Sequence, residues 1–501
     1  MTTPSLNEAQ KRAVEYSGGH LLIVAGPGTG KTHTLTMRIA RFLHEAQEKR
    51  EHILAITFTK KAAEEMDQRL SLLNGQKERI HIATFHGFSA QILKTMDQRF
   101  ADFHIAEGEA VNNIAGELWP DQSRKERKEK LERISRWKSM EFDKPAPPEV
   151  IAYNNRLRRD RLFDYDDLLL ELYTQLNKDV GFLKSLQHQY PYIFVDEYQD
   201  INPIQHAVLK LLVGEKGHIT AIGDPHQAIY GFRGSDIKYF DSFARDFHGA
   251  VRLHLTDNYR SSPNLLMASA QILEKAEGRF VPALTAKIYT EGHLYIHTAP
   301  TARAEAEYVV HQIEKLVGGT SMFSQDSGRV AASQTSDVTF GDIAVFYRLN
   351  VLRHELKRAL ERSGIPFAVG CEDDDEEICP RRQQEQRLEG EKVNLLSLHT
   401  SKGLEFPVVF IIGCEESILP LQRAGMPSAI QEERRLFYVG VTRAKQRLYL
   451  THANKRIVFG KTLRLSASSF LSDIAEDLKK YEELEKREWK PREKQLSLFK
   501  E

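Results

Sequence analysis

The segment AGPGTGKT (25–32) combines glycines with a lysine and a threonine in an order suited to binding phosphate. It follows an apolar run and precedes a helical pattern, which is the context that a phosphate-binding loop requires. Glycines let backbone N–H groups approach phosphate, a lysine can reach the β- and γ-phosphates, and a threonine can ligate Mg²⁺. The segment therefore predicts a nucleotide site made of Gly26, Gly28, Thr29, Gly30, Lys31 and Thr32.

Two adjacent carboxylates end the apolar run in YIFVDEYQD (192–200). Asp196 fits the acid that holds Mg²⁺, directly or through water, and Glu197 fits the base that orients and deprotonates an attacking water. Such a pair can also cap a helix, but the phosphate loop upstream makes that interpretation the weaker one. Both motifs predict a P-loop nucleoside triphosphatase without deciding its class.

Short apolar runs rich in Ile, Val, Leu and Phe must position these motifs. Such runs, alternating with helical patterns, predict parallel sheets covered on both faces. Two sets, with a long helical stretch inside the first, predict two α/β lobes and a helical insertion. The sets are HLLIVAG (20–26), HILAITFT (52–59), YIFVDE (192–197) and ITAIGD (219–224), then DIAVFYR (342–348), VNLLSLH (393–399), PVVFIIG (407–413) and RLYLTH (447–452).

The bulk composition of the 501-residue chain excludes several classes of protein. The sequence contains no run of about 18 apolar residues, so no membrane span is predicted. The first ten residues lack the pattern of a secretion signal. Three scattered thiols form neither a disulfide framework nor a zinc spacing, which predicts a reducing cytoplasm. These thiols are Cys371, Cys379 and Cys414.

The charge of the chain is balanced, with 70 basic and 70 acidic side chains. It is nevertheless patterned, because residues 121–138 and 156–161 are basic and residues 372–377 are acidic. Helices of mixed charge are ordinarily solvated faces, so charge alone does not predict a nucleic-acid partner.

Further motifs in the first half are similar to those of superfamily 1A DNA helicases of the UvrD/PcrA/Rep family. They are LNEAQ (6–10), ITFTKKAAEEM (56–66), TFHGF (84–88), FDYDDLL (163–169) and GDPHQAIYGFRGSD (223–236). The resemblance implies that Gln10 reads adenine and that Gln227 senses the γ-phosphate. It also implies a set of contacts to DNA: Phe58, Thr59, Lys60, Thr84, His86, Phe232 and Arg233.

The second half continues the resemblance in the same order, through LTDNYRSS (255–262), SLHTSKGLEF (397–406) and EERRLFYVGVTRAK (432–445). It implies that the γ-phosphate meets two arginines, which would draw two lobes together around ATP and release them after hydrolysis. The implied roles are adenine stacking by Tyr259, γ-phosphate binding by Arg260 and Arg443, a ribose contact by Glu405, and DNA contacts by His399 and Lys402.

The resemblance also implies a division into domains. We expect an α/β fold with two RecA-like P-loop NTPase lobes. Between IPFAVGC (365–371) and VNLLSLH (393–399), where full-size relatives insert a helical subdomain called 2B, this chain has about twenty residues, too few to bury a core. The expected parts are lobe 1A (1–97 and 163–258), a helical 1B insertion (98–162), lobe 2A (259–472) with 2B reduced to a loop near 372–392, and a charged flexible tail (473–501).

Three positions depart from the family pattern, and one of them is His33, where many members have Arg. The family usually has Asn at the position of Lys60 and Trp at that of Phe232. Neither change removes the expected chemistry, because Lys can contact phosphate and Phe can stack on a base, a contact that contributes roughly 1–3 kcal/mol. For any single aromatic residue among the predicted DNA contacts, packing in the core is an equally good interpretation.

The tail contains QLSLF (495–499), which resembles the peptide with which bacterial proteins dock on the DNA sliding clamp. A terminal turn that packs on its own domain is the alternative. If the peptide docks, the host is bacterial and the work happens at replication or repair sites. The docking side chains would be Gln495, Leu496, Leu498 and Phe499.

The motifs together predict an ATP- and Mg²⁺-dependent DNA helicase or translocase. The resemblance implies 3′-to-5′ movement on single-stranded DNA or on tailed or forked duplexes, without a membrane. The alternative is an ATP-gated DNA-binding or protein-displacement factor, recruited by the clamp, that does not separate strands. An RNA substrate is a weaker option. A fused nuclease is not expected, since no acidic cluster with metal-ligand character follows residue 445.

Overall fold

The computed structural model describes residues 5–45, 52–74, 79–96, 100, 102–275, 283–318, 338–370, 390–422 and 430–481. The strands are β1 (Leu21–Ala25), β2 (Ile53–Thr57), β3 (Ile80–Thr84), β4 (His104–Ile105), β5 (Leu162–Phe163), β6 (Tyr192–Val195), β7 (His218–Gly223), β8 (Val251–Leu255), β9 (Asp257–Asn258), β10 (Thr285–Ala286), β11 (His293–Ala299), β12 (Ile343–Tyr347), β13 (Phe367–Val369), β14 (Val393–Ser397), β15 (Phe406–Ile411), β16 (Ala444–Ala453), β17 (Lys455–Val458), β18 (Lys461–Arg464) and β19 (Lys479–Tyr481).

Helices connect most of these strands. They are α1 (Glu8–Glu15), α2 (Lys31–Glu45), α3 (Lys60–Asn74), α4 (Phe85–Met96), α5 (Glu109–Leu118), α6 (Arg124–Met140), α7 (Pro148–Arg159), α8 (Tyr165–Lys178), α9 (Val180–Gln189), α10 (Pro203–Val213), α11 (Lys238–Asp241), α12 (Phe243–Asp246), α13 (Pro263–Glu274), α14 (Ala302–Leu316), α15 (Arg353–Arg362), α16 (Ile430–Val441) and α17 (Ser469–Ser472). None of the helices in the described ranges is both long and apolar enough to cross a membrane.

The first lobe is built on a six-stranded sheet in the order β3-β2-β6-β7-β1-β8. Every pairing in it is parallel. Strands β1 and β2 are buried at all five of their positions, because helices cover both faces of the sheet. The four apolar runs predicted as its strands are therefore confirmed, and β3 and β8 add the two edges.

The second lobe is a seven-stranded parallel sheet in the order β13-β14-β12-β15-β16-β11-β19. Separate apolar clusters cover its two faces. The four apolar runs of the second set form β12, β14, β15 and β16. The predicted fold class, two RecA-like lobes of parallel sheet flanked by helices, is confirmed.

Helices α5, α6 and α7 lie within residues 98–162, where a helical insertion is predicted, and pack around a small apolar core of their own. One buried lysine ties this insertion to the first lobe. The ammonium of Lys138 on α6 lies 2.7 Å from Asp164 and 2.8 Å from Asp167, at the start of α8. The basic helix is therefore fixed to the lobe by charge as well as by packing.

The predicted start of the tail, residue 473, is wrong. Ile474 is 1% exposed, and β19 pairs in parallel with β11 as an edge strand of the second sheet. The lobe therefore continues at least to Tyr481, because apolar burial and sheet pairing both extend past the predicted boundary. The clamp-like peptide (495–499), Cys371, Cys379 and most of the 372–392 segment lie outside the described residues, and Cys414 is a buried free thiol.

Candidate active site and nucleic-acid interface

The phosphate loop joins the carboxyl end of β1 to the first residue of α2, as the motif predicts. Gly28 and Gly30 have φ angles of 67° and 79°, which side chains of L residues rarely adopt. A Cβ atom on Gly28 would lie 2.5 Å from the Cβ atom of Arg260, so glycine is needed for space as well. The ammonium of Lys31 donates to the carbonyls of Ala25 and Gly26, at 3.3 Å each, and stays within the loop.

The two predicted catalytic carboxylates follow β6 directly. Burial and the neighbouring Glu197 raise the pKa of Asp196 to about 7. Burial opposes ionisation of Glu197 too, but the cations Lys31 and Lys402 outweigh it and lower the pKa of Glu197. The side-chain amide of Gln199 donates to Glu197 at 2.5 Å. Glu197 is thus the more acidic carboxyl group of the pair, which suits a general base.

Cations from both lobes converge on this loop, where Lys31, Arg260 and Arg443 act on one another's charge. Burial and the neighbouring Arg260 lower the pKa of Arg443 to about 9, and burial also lowers the pKa of Lys31. Arg443 precedes β16 of the second lobe and lies 3.3 Å from the side-chain oxygen of Gln227 in the first. A bound triphosphate would add negative charge beside these cations.

Three motifs that are distant in the sequence meet at the outer end of the loop. The Tyr259 amide donates to the Gly28 carbonyl at 2.7 Å, and the Asn7 side chain donates to the Tyr259 hydroxyl at 2.9 Å. Gln10, predicted to read adenine, accepts from the Asn7 amide at 3.0 Å and donates to the Thr29 carbonyl at 3.1 Å. In this conformation the Gln10 side chain therefore braces the phosphate loop from α1.

Glu405, predicted near the ribose, lies at the same cleft. Its carboxylate contacts Arg260 at 2.6 Å and Lys445 at 2.9 Å. Burial opposes its ionisation, but Arg260 and Lys445 together outweigh burial and lower the pKa of Glu405. Arg260 is thus paired with a carboxylate. When a nucleotide is bound, Arg260 would contact a phosphate in addition to this carboxylate or in place of it.

Thr32 and Asp196 are the residues predicted to hold Mg²⁺. Thr32 lies in the first turn of α2, and one Asp196 oxygen accepts from the Glu197 amide at 2.9 Å. Hydroxyl and carboxylate oxygens are hard donors of the kind that Mg²⁺ prefers. The raised pKa of Asp196, caused by burial and by Glu197, indicates negative charge that a divalent cation would offset. The residues fit the ion.

An aromatic track crosses from the first lobe to the second. Phe58 stacks on Tyr230, with ring centres 5.5 Å apart and planes 17° apart. Phe232 is 56% exposed and meets the His399 ring edge-on at 5.4 Å. The guanidinium of Arg233 lies 5.4 Å from the Phe232 ring. An exposed ring beside a cation is what base stacking and phosphate contact require.

The remaining predicted DNA contacts follow the carboxyl ends of β2 and β3 in the first lobe. Thr59 and the exposed Lys60 stand at the start of α3. The Thr84 hydroxyl accepts from the Gly87 amide at 3.1 Å, which holds the start of α4. His86 is edge-on to Tyr165 at 5.9 Å, and burial lowers its pKa. Because neighbouring parallel strands end at one edge of a sheet, these side chains share a surface.

Two sequence-family models match most of this chain. The sequence model of the UvrD/REP helicase N-terminal domain matches residues 6–248, and that of the UvrD-like helicase C-terminal domain matches residues 253–373 and 377–455. The chain belongs to the UvrD/REP helicase family. The predictions of a helicase and of nucleotide use are thereby confirmed.

Relatives of this helicase cover almost all of its length. It is 27% identical to the ATP-dependent DNA helicase PcrA of Staphylococcus aureus, over 94% of this chain and 86% of the relative. It is also 27% identical to the PcrA of Staphylococcus epidermidis, over 95% of this chain and 87% of that protein.

Lys402 of the helicase, predicted near DNA, is buried at the boundary between the lobes. Its ammonium lies 2.5 Å from Asp200 and 2.8 Å from the carbonyl of Gln227, both in the first lobe. It also lies 5.0 Å from the centre of the Tyr230 ring. In this conformation Lys402 links the lobes beneath the aromatic track and does not reach the surface of the track.

The sequence reasoning missed the hairpin of β17 and β18, which follows β16 of the second lobe. Phe459 at its turn is 73% exposed with a φ of 49°, and Ile457 is 66% exposed. The exposed Lys455 and Lys461 flank them. The alternation in KRIVFGK, with a glycine after the aromatic, was the available signal for a two-residue turn.

The base of this hairpin is held by a buried ion cluster. Arg456 on β17 lies 2.5 Å from Glu305 and 2.6 Å from Glu415, and all three side chains are at most 3% exposed. Glu415 also accepts from the Ala453 amide at 2.6 Å, and Glu305 from the Thr451 hydroxyl at 2.7 Å. The hairpin is therefore joined firmly to β16 and α14.

Proposed function

We propose that this chain is an ATP-dependent DNA helicase that moves 3′-to-5′ on single-stranded DNA and separates the duplex ahead of it. The observation that carries the proposal is the convergence of Lys31, Arg260 and Arg443 on one phosphate loop, with Arg443 coming from the other lobe. A nucleotide held from both sides would close the cleft, and its hydrolysis would release the cleft.

The chemistry assigned to the cleft follows from its electrostatics. Glu197 is ionised and would orient and deprotonate the attacking water. Lys31, Arg260 and Arg443 would stabilise the charge that develops on the departing phosphoryl group. Thr32 and Asp196 would hold Mg²⁺, which supplies further charge neutralisation when bound. Gln227 touches Arg443 and would report the γ-phosphate to the aromatic track.

Translocation would use the track defined by Phe58, Phe232 and His399. Bases would stack on Phe232, since base stacking tolerates any sequence, and Arg233 and Lys60 would contact phosphates. The Nδ1 atom of His399 has no hydrogen-bond partner among the described residues, which supports a role in binding a group outside the chain.

Strand separation would use the exposed hairpin. Both the hairpin and the loop of His399 follow the carboxyl ends of strands of the second sheet, β16 and β14 respectively. They therefore share one edge of that sheet. An exposed aromatic at a basic tip can stack on the last base pair while single strand is drawn along the track. Phe459 is the residue that we assign to this role.

The 2B subdomain is proposed to be reduced to a loop. The alignment with the S. aureus relative spans 632 positions, more than the 501 residues of this chain, which supports the absence of a segment that the relative carries. Docking on a sliding clamp through QLSLF (495–499) likewise remains our proposal. If strand separation depended on 2B, the chain would act as a clamp-recruited displacement factor.

The test is ATP-dependent unwinding of partial duplexes that carry a 3′ or a 5′ single-stranded tail. We expect unwinding from the 3′ tail alone. Phe459→Ala should unwind more slowly while keeping ATP turnover stimulated by single-stranded DNA. Stimulated turnover by the wild type without unwinding from either tail would favour the displacement factor. Absence of stimulation by DNA would overturn the motor itself.

A further inference from the structure

Helix α16 of the second lobe and the turn that follows it contact a segment of the first lobe at three points. We name residues 227–233 the coupling segment, since it has Gln227 at one end and Phe232 near the other. Arg443 contacts Gln227 at 3.3 Å, Arg435 donates to the Ala228 carbonyl at 2.8 Å, and Glu432 accepts from the Gly231 amide at 3.0 Å. The helix and the segment therefore run side by side.

From these contacts we propose that Glu432 and Arg435 are positioning residues that transmit the nucleotide state to the DNA-stacking ring of Phe232. This inference rests on the function proposed above and adds the connection between its two sites. Glu432, the carboxylate at the stacking ring, lies near the start of α16, and the arginine at the nucleotide follows two residues after the helix ends at Val441, so the helix separates the two by about 14 Å of helical rise.

The peptide at Gly231 lies close to the Glu432 carboxylate. A Cβ atom built there would lie 2.7 Å from a carboxylate oxygen of Glu432, so a side chain at this position would displace the carboxylate from the contact. The amide of Gly231 immediately precedes Phe232. Fixing this peptide therefore restricts the direction in which the stacking ring projects.

Adjacent carboxylates of α16 face different lobes. Glu433 binds Arg348 through two hydrogen bonds, at 2.8 and 3.1 Å, and accepts from the Leu421 amide at 2.9 Å, all within the second lobe. Glu432 instead reaches across to Gly231. Glu433 thus fixes the start of the helix to its own lobe, and Glu432 binds the helix to the first lobe.

A helix anchored in this way moves as a rigid body with its lobe. When Arg443 is drawn toward a phosphate, Glu432 must move with it, and the Gly231 peptide follows if the hydrogen bond persists. Arg435 on the Ala228 carbonyl prevents the segment from bending between its two ends. Phe232 would therefore change position once per nucleotide cycle.

The experiment compares Glu432→Ala with Glu432→Gln, because an amide oxygen can still accept from the Gly231 amide. For Glu432→Ala we expect basal ATP turnover and the KM for ATP within twofold of wild type. The stimulation of turnover by saturating single-stranded DNA should fall about tenfold, the factor that corresponds to one hydrogen bond with a charged group. Glu432→Gln should restore most of the stimulation.

Full stimulation in Glu432→Ala would overturn the inference, and so would a Glu432→Gln variant as defective as Glu432→Ala. An equal loss of basal and stimulated turnover would also overturn it, because that pattern indicates damage to the nucleotide site. Phe232→Ala serves as the parallel probe of the track. If single-stranded DNA stimulates the ATP turnover of Phe232→Ala as strongly as that of wild type, Phe232 is not part of the DNA track in the proposed function. That result is distinct from a failure of the coupling.

Discussion

The boundary between the lobes and the hairpin of β17 and β18 use charge in different ways. At the boundary, buried charges belong to different lobes, as in the contact of Lys402 with Asp200. In the hairpin, the buried cluster of Arg456, Glu305 and Glu415 lies within the second lobe, and the exposed tip carries an aromatic ring. One set of contacts must change when the lobes move, and the other need not.

The difference assigns separate tasks to the two regions. Contacts between lobes must be sensitive to the nucleotide, so a defect there should affect ATP turnover and strand separation together. Contacts within the second lobe only hold the hairpin of β17 and β18 in place, so a defect at the tip of the hairpin should affect strand separation alone. The following variants test whether these two effects can be separated.

The largest effect is expected from Glu197→Gln. An amide cannot take the proton from water, and general-base catalysis contributes roughly 10²–10⁴-fold, so ATP turnover should fall by that factor and unwinding with it. Steady-state turnover with and without single-stranded DNA measures this. Binding of a fluorescent nucleotide should be retained as the control. A variant that keeps more than a tenth of wild-type turnover would exclude Glu197 as the base.

Lys402→Met should have the next largest effect, which is on stability. It leaves Asp200 buried without its cation, which costs about 3–5 kcal/mol in the free energy of unfolding when one member of a buried pair is removed. Chemical denaturation measures the loss. Lys402→Met combined with Asp200→Asn should recover part of it, since no isolated charge is then buried. Equal stability of the single variant and wild type would show that the contact between lobes is weak.

Phe459→Ala should have a smaller and more selective effect. Loss of one stacking contact corresponds to about 1–3 kcal/mol, or roughly 5–150-fold in the rate of unwinding. Turnover stimulated by single-stranded DNA should stay within twofold, and Ile457→Ala provides a matched control on the same exposed hairpin face. Parallel losses of turnover and unwinding in Phe459→Ala would remove the distinction between the two regions.

The smallest effect concerns pH. Burial, with Arg348, Arg233 and Lys402 nearby, lowers the pKa of His399 to about 3 from its ordinary 6.5. Because the folded pKa is depressed, the stability contributed by neutral His399 is present above about pH 6.5 and is lost as pH falls toward 3. The loss of stability between pH 7 and pH 5 should therefore be smaller in His399→Gln than in wild type.

Denaturation midpoints at the two pH values measure this difference. His188→Gln is the control, because His188 is exposed on α9 and should leave the pH dependence as in wild type. An unchanged pH dependence in His399→Gln would show that this histidine does not titrate as its surroundings indicate.

Much of the nucleotide site could be predicted from the sequence because its motifs are local. The phosphate loop and the acidic pair each occupy one loop after one buried strand, and eight apolar runs became strands. Edge strands escaped prediction for a physical reason. Strand β8 is exposed at three of its five positions and β3 is only half-buried, so neither has the continuous apolar run of a central strand.

The partners of individual side chains were the least predictable feature. Lys402 finds Asp200 across 202 positions of sequence, and a lysine in a loop motif gives no sign that it will be buried. Similarly, the side-chain amide of Gln10 uses its oxygen and its nitrogen in hydrogen bonds within the chain. These hydrogen bonds depend on how α1 packs against the phosphate loop. The tail boundary failed because β19 is short and charged, and its strand pairing depends on β11.

The ion cluster at Arg456 has a mechanical consequence. A wedge that parts two strands experiences a reaction force, and a wedge on a compliant mount would yield before the base pair does. Two carboxylates bind Arg456 at the base of the hairpin, which makes that base the stiff part of the proposed wedge. In the proposed role, a displacement of the second lobe would therefore be transmitted to the duplex junction through this base, and bending would be concentrated at the exposed tip.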